Sequence, residues 1–141
     1  MKKKKVLFIC KHNSARSQMA EGLLRTFYGE HYEAYSAGTE PTEVHPLAIK
    51  VMSELGIDIS SHYAKAIDEF KGITFDYVVS VCDLIKESCP FFPNEGIHYH
   101  KDFKDPASVE GDYETKINAF RSTRDEIKKF IDETFGKKTN N

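Results

Sequence analysis

The segment CKHNSARS, residues 10–17, constrains the fold of this chain more than any other stretch. It directly follows the apolar run VLFI of residues 6–9, which has the length and character of a buried strand. Over residues 17–28 apolar side chains recur at the spacing of a helix, and Gly29 marks its end. A strand, a tight polar loop and an amphipathic helix in this order predict one strand–helix unit of a parallel sheet.

The remainder of the chain continues this alternation of strands and helices. We predict a short helix at residues 67–70, longer helices at 42–55 and from 113 to about 135, and strands at 32–37, 75–82 and 97–99. This order indicates the α/β class, with a four-stranded parallel sheet covered by helices on both faces. We expect a single domain over residues 1–135 and a disordered tail over residues 136–141.

The loop after the first strand has the features of an oxyanion site. Backbone N–H groups of such a loop, and the dipole of the helix behind it, attract an anion. Arg16 can hold two oxygens of a tetrahedral oxyanion, and the same field favours the nucleophilic thiolate of Cys10, to which Ser17 can donate a hydrogen bond. The alternative, a core cysteine near a surface arginine, explains neither the polar loop nor the abrupt change of period. We therefore expect the oxyanion to be bound by Lys11, His12, Asn13, Ser14, Ala15, Arg16 and Ser17.

The composition is that of an ordinary globular protein. The net charge of −2 and the 30% of charged residues give no indication of nucleic-acid or membrane binding. No apolar run reaches the ~20 residues of a membrane span or the ~7–15 of a signal-peptide core, so we expect a cytoplasmic protein and, by default, a monomer. Disulfides are rare in the cytoplasm unless they are transient and catalytic. The three cysteines are therefore either buried and inert or part of the chemistry, and we predict no metal and no cofactor.

The second and third cysteines, Cys82 and Cys89, come at the end of the clearest predicted strand and seven residues later. This spacing differs from the C-x2-C of zinc sites. His98 and His100 share one face of the next strand, where we expect a solvated or hydrogen-bonded pair rather than a metal site. A disulfide requires Cα atoms ~5.5 Å apart, whereas seven residues span ~10.5 Å as a helix. Cys82 and Cys89 can therefore be a redox pair only if the segment between them loops back; otherwise they are two unreactive thiols.

Three motifs of this chain occur in combination. They are FICKHNSARSQMAEGLL at residues 8–24, the pair Cys82/Cys89 followed by Pro90, and Asp105-Pro106-Ala107. Together they resemble the motifs of the thioredoxin-coupled arsenate reductases, which share the fold of the low-molecular-weight tyrosine phosphatases. The resemblance covers nearly the whole chain, and the phosphatases lack the C-x6-C pair.

This resemblance implies a relay of three cysteines that reduces arsenate to arsenite. Cys10 would attack arsenate held by the loop and Arg16, and Cys82 would then attack Cys10 and release arsenite. Cys89 would attack Cys82 in turn, and the resulting disulfide would pass to thioredoxin or a similar dithiol protein. Asp105 matches the aspartate that serves the phosphatases as general acid.

Two other functions compete with arsenate reduction. The runner-up is a low-molecular-weight phosphatase acting on phosphotyrosine or a small phosphate ester, because arsenate and phosphate are nearly isosteric. The pair Cys82/Cys89 favours the reductase, and so does Ala107, which stands where the phosphatases prefer an aromatic residue. The third alternative is a non-enzymatic oxyanion sensor, but the sequence has no helix-turn-helix motif or basic surface for DNA. Lys101 replaces a tryptophan that is frequent in the family, so we expect a different approach to Asp105.

The potassium site of that family is only partly preserved. Asn13, Glu21 and Ser36 match residues of the site. Two further positions, commonly threonine and aspartate, fall on Tyr63 and Lys65, and the Lys65 ammonium could take the place of the cation. We therefore do not predict potassium binding, although we expect Glu21 to anchor the loop through Asn13.

Overall fold

The computed structural model describes residues 2–82 and 96–136 of the chain. Within this part the strands are β1 (Lys4–Cys10), β2 (Tyr32–Gly38), β3 (Tyr77–Cys82) and β4 (Ile97–Phe103). The α-helices are α1 (Arg16–Tyr28), α2 (Pro46–Ser53) and α3 (Tyr113–Ile131). Short 3-10 helices lie at Ile67–Phe70 and Pro106–Ser108, and α3 continues as a π-helical turn, Asp132–Gly136.

The four strands form one parallel sheet in the order β2-β1-β3-β4. The apolar run of β1, residues 6–9, is fully buried, as expected for a strand with neighbours on both sides and layers on both faces. Because all four strands run in the same direction, their final residues Cys10, Gly38, Cys82 and Phe103 lie along one edge, where ligands bind in such sheets. The predicted four-stranded parallel sheet is confirmed in the described part of the chain.

Helices cover both faces of the sheet, as predicted. On one face α1 and α3 pack together, and Phe135, just after α3, makes edge-to-face contacts with Phe8 and Tyr77 at centroid distances of 6.4 and 5.5 Å. On the other face Tyr35 of β2 contacts Phe70 of the first 3-10 helix at 5.6 Å. Since successive side chains of a strand point to opposite faces, these two aromatic clusters bury the sheet from both sides.

Helix α2 begins at Pro46, four residues later than predicted from residue 42. The reason is long-range hydrogen bonding that the sequence pattern does not contain. The N–H groups of Thr42 and His45 donate to carbonyl oxygens of the loop after β1, at 3.1 and 3.0 Å. These bonds accompany a non-helical course of residues 42–45, and His45 has the extended backbone (ψ 134°) that is favoured before a proline, so the helix starts at Pro46.

Other boundaries differ from the prediction by a few residues. Helix α2 ends at Ser53 instead of residue 55, and regular α-helix ends at Ile131. Strand β4 extends to Phe103 rather than residue 99. The sequence pattern does not predict this extension, because β4 is a mostly exposed edge strand without apolar alternation.

Some predictions concern residues outside the described part. Cys89 is among them, and so is the predicted tail of residues 136–141 apart from Gly136. The limits of the single domain therefore stay a prediction. Among the described residues, no helix is long and apolar enough to cross a membrane.

Candidate active site

Cys10 ends β1 at the start of the loop that leads into α1. Its side chain is 2% exposed, and Sγ lies 2.9 Å from the Oγ of Ser17 in the first turn of α1. The Ser17 oxygen accepts a hydrogen bond from the side-chain amide of Asn13 at 2.7 Å. The Ser17 hydroxyl can therefore donate its own proton to the sulfur, which stabilises a thiolate at this position.

Asn13 fixes the conformation of the loop. Among the described residues other than glycine it is the one with a positive φ, 50°, a region that asparagine tolerates better than most residues. Its side chain is fully buried, and Oδ1 accepts hydrogen bonds from Gln18 Nε2 and from the backbone N–H of Lys65, both at 2.8 Å. Together with the bond to Ser17, these contacts hold the strained turn in place.

Gly38, at the end of β2, makes room for the loop. A Cβ at this position would lie 2.6 Å from the carbonyl oxygen of Lys11 and 2.8 Å from the backbone nitrogen of Asn13. Real side chains do not approach backbone atoms so closely, so the loop in this conformation requires glycine here. The sequence marks Gly38 only as the end of a strand and does not reveal this close approach, because the clash involves segments far apart in the chain.

The amino terminus of α1 faces the loop without a competing group of its own. The residue before the helix is Ala15, which makes no side-chain capping bond, and the first turn contains no acidic residue. The first N–H groups of a helix have no partner within it, and the helix dipole adds partial positive charge there. In the described part of the chain, this end of α1 is therefore arranged to bind an anion.

Arg16 and Asp105 meet at the same edge of the sheet. Arg16 is 7% exposed; its Nη1 donates to the carbonyl oxygen of Phe103 at 3.0 Å, and its Nη2 lies 3.7 Å from Asp105 Oδ2. The other carboxylate oxygen of Asp105 accepts the N–H of Ala107 at 3.0 Å, at the start of the second 3-10 helix. The guanidinium is thus oriented in advance, with a carboxyl group beside it that can exchange protons with a bound oxyanion.

Lys11 and His12 lie at the partly exposed rim of the loop, as does Ser14. Both Lys11 and His12 contact Glu40: Lys11 Nζ lies 3.8 Å from its carboxylate, and His12 Nδ1 lies 3.0 Å from its carbonyl oxygen. A carbonyl oxygen only accepts, so this His12 nitrogen carries a proton. The rim therefore carries a lysine–glutamate ion pair and a hydrogen-bonded histidine next to the start of α1.

Cys82 ends β3, the strand adjacent to β1. The last pair of residues in the β1–β3 ladder is Ile9 and Ser80, so Cys10 follows this pair by one residue and Cys82 by two. With strands ~4.8 Å apart and a rise of ~3.3 Å per residue, this register gives a Cα–Cα distance of roughly 6 Å, so the backbones of both cysteines lie at the same end of the sheet.

The two histidines of β4 are hydrogen-bonded, as predicted. His98 Nε2 lies 3.1 Å from the Ser80 hydroxyl, and His100 Nε2 lies 2.6 Å from a carboxylate oxygen of Asp102. Among the described residues, no group of three or more potential metal ligands occurs.

Glu21 of α1, behind the loop, is surrounded by positive charge. Its side chain is 5% exposed; Lys65 Nζ lies 3.4 Å from Oε1, and Arg25 donates to Oε2 at 2.6 Å. Burial alone would raise the pKa of Glu21, but Lys65, the Ser36 hydroxyl and Arg25 together lower it below its ordinary value. The Lys65 ammonium also donates to the carbonyl oxygen of Tyr63 at 3.0 Å. It therefore lies between the oxygen atoms of Glu21 and Tyr63, as expected for a lysine that takes the place of a cation.

Gln18 connects this charged cluster to the loop, and sequence reasoning missed it. Its Nε2 donates to Asn13, while its Oε1 lies 2.9 Å from Nδ1 of His62 and accepts from it. The other nitrogen of His62 lies 3.2 Å from an Arg25 guanidinium nitrogen, so it accepts and the imidazole is neutral. Burial, the largest effect, lowers the pKa of His62 in agreement with this neutral form. The expected anchoring of Asn13 by Glu21 is thus indirect, through Arg25, His62 and Gln18.

Comparison with known proteins finds relatives that match nearly the whole chain. Residues 5–139 match the family described as low molecular weight phosphotyrosine protein phosphatase. The arsenate reductase of Halalkalibacterium halodurans is 44% identical over 131 residues, which are 93% of this chain and 94% of that protein. A solved arsenate reductase in the oxidised state superimposes with a TM-score of 0.81 at 34% identity, covering 95% of this chain and 98% of that one. The thioredoxin-dependent arsenate reductase of Corynebacterium glutamicum gives a TM-score of 0.61 at 32% identity, covering 94% of this chain and 63% of that one.

Proposed function

The chain belongs to the arsenate reductases that share the fold of the low molecular weight phosphotyrosine protein phosphatase family, and we propose that it reduces arsenate through the successive action of Cys10, Cys82 and Cys89. The observation that carries this proposal is that Cys10 and Cys82 end adjacent parallel strands, so both cysteines belong to the same end of the sheet, where ligands bind. A phosphatase needs only the first of these thiols, whereas a reductase needs a second thiol to attack the first. Thioredoxin is the proposed electron donor, in line with the thioredoxin dependence of the C. glutamicum relative.

The first step joins arsenate to the enzyme. Arg16 and the amide N–H groups at the start of α1 bind the arsenate oxygens. The Cys10 thiolate, stabilised by Ser17, attacks arsenic, so that an S–As bond forms and an As–O bond breaks. Asp105 gives the departing oxygen a proton, and this oxygen leaves as water while arsenic remains As(V).

The next two steps move the oxidation from arsenic to sulfur. The Cys82 thiolate attacks the sulfur of Cys10, an S–S bond forms, and the electron pair of the S–As bond stays on arsenic, which leaves as arsenite, As(III). Cys89 then attacks Cys82 and releases Cys10 as a thiolate. A dithiol of thioredoxin reduces the resulting Cys82–Cys89 disulfide and supplies the two electrons that arsenic received.

The proposal includes a cytoplasmic, monomeric enzyme without a bound cofactor. The relay starts from reduced cysteines, a state that the cytoplasm maintains. Every step uses the side chains of this chain, arsenate and the thiols of the donor, so the reaction balances without a further redox group.

A phosphatase activity is the second candidate, because it would use the same loop. The matching family is described by its phosphotyrosine phosphatase members. Cys10, Arg16 and Asp105 would suffice to form and hydrolyse a cysteinyl phosphate. Ala107, however, offers no aromatic ring on which a phosphotyrosine could stack. We therefore propose that phosphate esters are cleaved slowly at most.

The test is a coupled assay that follows NADPH oxidation with thioredoxin, thioredoxin reductase and arsenate. Wild type is expected to turn over, and both Cys82→Ser and Cys89→Ser are expected to lose steady-state turnover. Parallel assays with p-nitrophenyl phosphate report the alternative activity of the same proteins. Turnover of arsenate by both variants at the wild-type rate would refute the relay, and fast cleavage of p-nitrophenyl phosphate without arsenate turnover would favour the phosphatase.

A further inference from the structure

The segment after β2, residues 39–45, determines which groups the oxyanion loop presents. Four of its backbone N–H groups donate to carbonyl oxygens of the loop. The bonds run from Thr39 to Cys10 (3.3 Å), Glu40 to Lys11 (2.8 Å), Thr42 to His12 (3.1 Å) and His45 to Ser14 (3.0 Å). With these carbonyls held by the segment, the amide N–H groups of the loop remain for the anion. His45 makes the last of these bonds, next to the turn from which α1 begins.

The His45 side chain contacts both the start of α2 and helix α3. Its Nδ1 accepts the N–H of Leu47 at 3.1 Å and so caps the amino terminus of α2. Its ring lies against the buried ring of Phe120 in α3, at a centroid distance of 4.7 Å. An imidazole that accepts at Nδ1 carries its proton on Nε2 and is neutral. Protonation at Nδ1 therefore requires loss of the helix cap.

Asp105 is the charged group that acts on this imidazole among the described residues. Burial lowers the pKa of His45 below its ordinary value of 6.5, and the Asp105 carboxylate opposes part of this shift. The other elements packed against His45 contribute uncharged groups, which are Phe120 from α3 and the Ser14 carbonyl from the loop. Asp105 in turn lies 3.7 Å from Arg16. His45 thus binds the oxyanion loop through its backbone and interacts electrostatically with the carboxyl group assigned to proton transfer.

We propose that His45 is a positioning residue for arsenate reduction, and that its neutral Nε2–H form keeps the oxyanion loop and Asp105 in their working arrangement. When protonated, His45 loses the bond to Leu47, and the first turn of α2 no longer holds the backbone that supports Ser14. The imidazolium also favours the ionised form of Asp105, which cannot donate a proton. His45 therefore contributes a loss of activity toward acid pH whose midpoint lies below pH 6.5.

This inference rests on the proposed function only for its substrate. The test separates two properties of His45, the hydrogen bond that caps α2 and the positive charge that its imidazole gains on protonation. In His45→Asn the side-chain oxygen can still accept the Leu47 N–H, because asparagine caps helices well, but it does not titrate. In His45→Ala both properties are lost.

We expect kcat/KM at pH 8 within about threefold of wild type for His45→Asn and at least about tenfold lower for His45→Ala. Below pH 6.5 the ratio of His45→Asn to wild-type activity should rise. His31→Asn, at an exposed position away from the site, is the matched control and should follow the wild-type profile.

Two measurements on the free protein do not depend on arsenate turnover. The 15N shifts of the His45 imidazole should show a proton on Nε2 and none on Nδ1 at pH 7.5, and Asp105→Asn should lower the measured pKa of His45. Calorimetric binding of inorganic phosphate at pH 7.5 should be retained in His45→Asn and weakened by about tenfold in His45→Ala.

The outcomes distinguish this inference from the proposed function. The role of His45 is overturned if His45→Asn loses activity below pH 6.5 as steeply as the wild type. It is also overturned if the imidazole carries a proton on Nδ1 at neutral pH. If the wild type reduces no arsenate, the proposed function fails, while the tautomer, the titration and the phosphate binding still decide the role of His45.

Discussion

Ser17 Oγ lies 2.9 Å from Cys10 Sγ and accepts the Asn13 side-chain amide at 2.7 Å. The strained turn at Asn13 and the nucleophile are therefore connected through a single hydroxyl group. A hydroxyl that accepts from Asn13 still has its own proton to donate, and the sulfur of Cys10 lies within hydrogen-bond distance of it. This hydroxyl can therefore donate to the sulfur both when Cys10 attacks and when its sulfur later leaves.

Replacing Ser17 by alanine is expected to slow arsenate reduction by about 10- to 100-fold. The reason is that one hydrogen bond to a charged group is worth ~1.5–3 kcal/mol. Alkylation of Cys10 by iodoacetamide at pH 7, measured with Cys82 and Cys89 changed to serine, should slow as well because less thiolate is present. Ser53→Ala, which removes an exposed hydroxyl from α2, is the control and should match the parent protein. An alkylation rate that Ser17→Ala leaves unchanged would contradict the role of this hydroxyl.

The contact between Lys65 and Glu21 predicts an enzyme that is indifferent to potassium. The ammonium already lies 3.4 Å from the carboxylate and 3.0 Å from the Tyr63 carbonyl oxygen. Arsenate turnover should therefore be the same, within about 20%, in equal concentrations of potassium and sodium chloride. In Lys65→Asp combined with Tyr63→Thr, the ammonium is replaced by oxygen ligands, so potassium should raise thermal stability relative to sodium. Wild-type turnover that depends on potassium would show that Lys65 does not take the place of the cation.

The loop of the candidate site could be located from the sequence because its spacing is local. The apolar run of β1, Cys10 and Arg16 all lie within a dozen residues, and burial matches the pattern there. The features that sequence reasoning missed all depend on contacts between distant segments. Gly38 is required by the closeness of the loop, and Gln18 by its contacts with Asn13 and His62.

The boundaries of two elements could not be predicted for a similar reason. Residues 42–45 stay non-helical while the amides of Thr42 and His45 bond to the loop after β1, a partner that no local pattern reveals. The extension of β4 to Phe103 depends on pairing with β3, since its own side chains are mostly exposed. Hydrophobic periodicity indicates which side chains are buried, so it does not predict an element that backbone pairing alone defines.

Glu54, which follows α2, ties that helix to α3 through two arginines. Its carboxylate accepts hydrogen bonds from Arg121 at 2.7 Å and from Arg124 at 2.9 Å. The bond from Arg121, the largest effect, and that from Arg124 hold the pKa of Glu54 at about 2, below its ordinary value of 4.5. Because the folded-state pKa is the lower one, this stabilisation is fully present above pH 4.5 and is lost as the pH falls through about 2.

Glu54→Gln is therefore expected to lower the free energy of unfolding by ~1–2 kcal/mol at pH 7, and by less at pH 3, where the wild type has lost part of the same contribution. Urea unfolding at both pH values measures the difference. Glu110→Gln, at an exposed position, is the matched control and should change the free energy of unfolding by less than ~0.5 kcal/mol. An equal loss at pH 7 and at pH 3 would argue against ionised Glu54 as the source.

The relay of cysteines is tested most directly by a single turnover of arsenate without thioredoxin. Fully reduced Cys89→Ser should release about one arsenite per molecule and lose about two free thiols, and mass spectrometry should identify a Cys10–Cys82 disulfide. Cys82→Ser should release no arsenite, because no second thiol attacks the adduct on Cys10. Arsenite release from Cys82→Ser at the wild-type rate, or Cys89→Ser that releases arsenite with both thiols intact, would contradict the account.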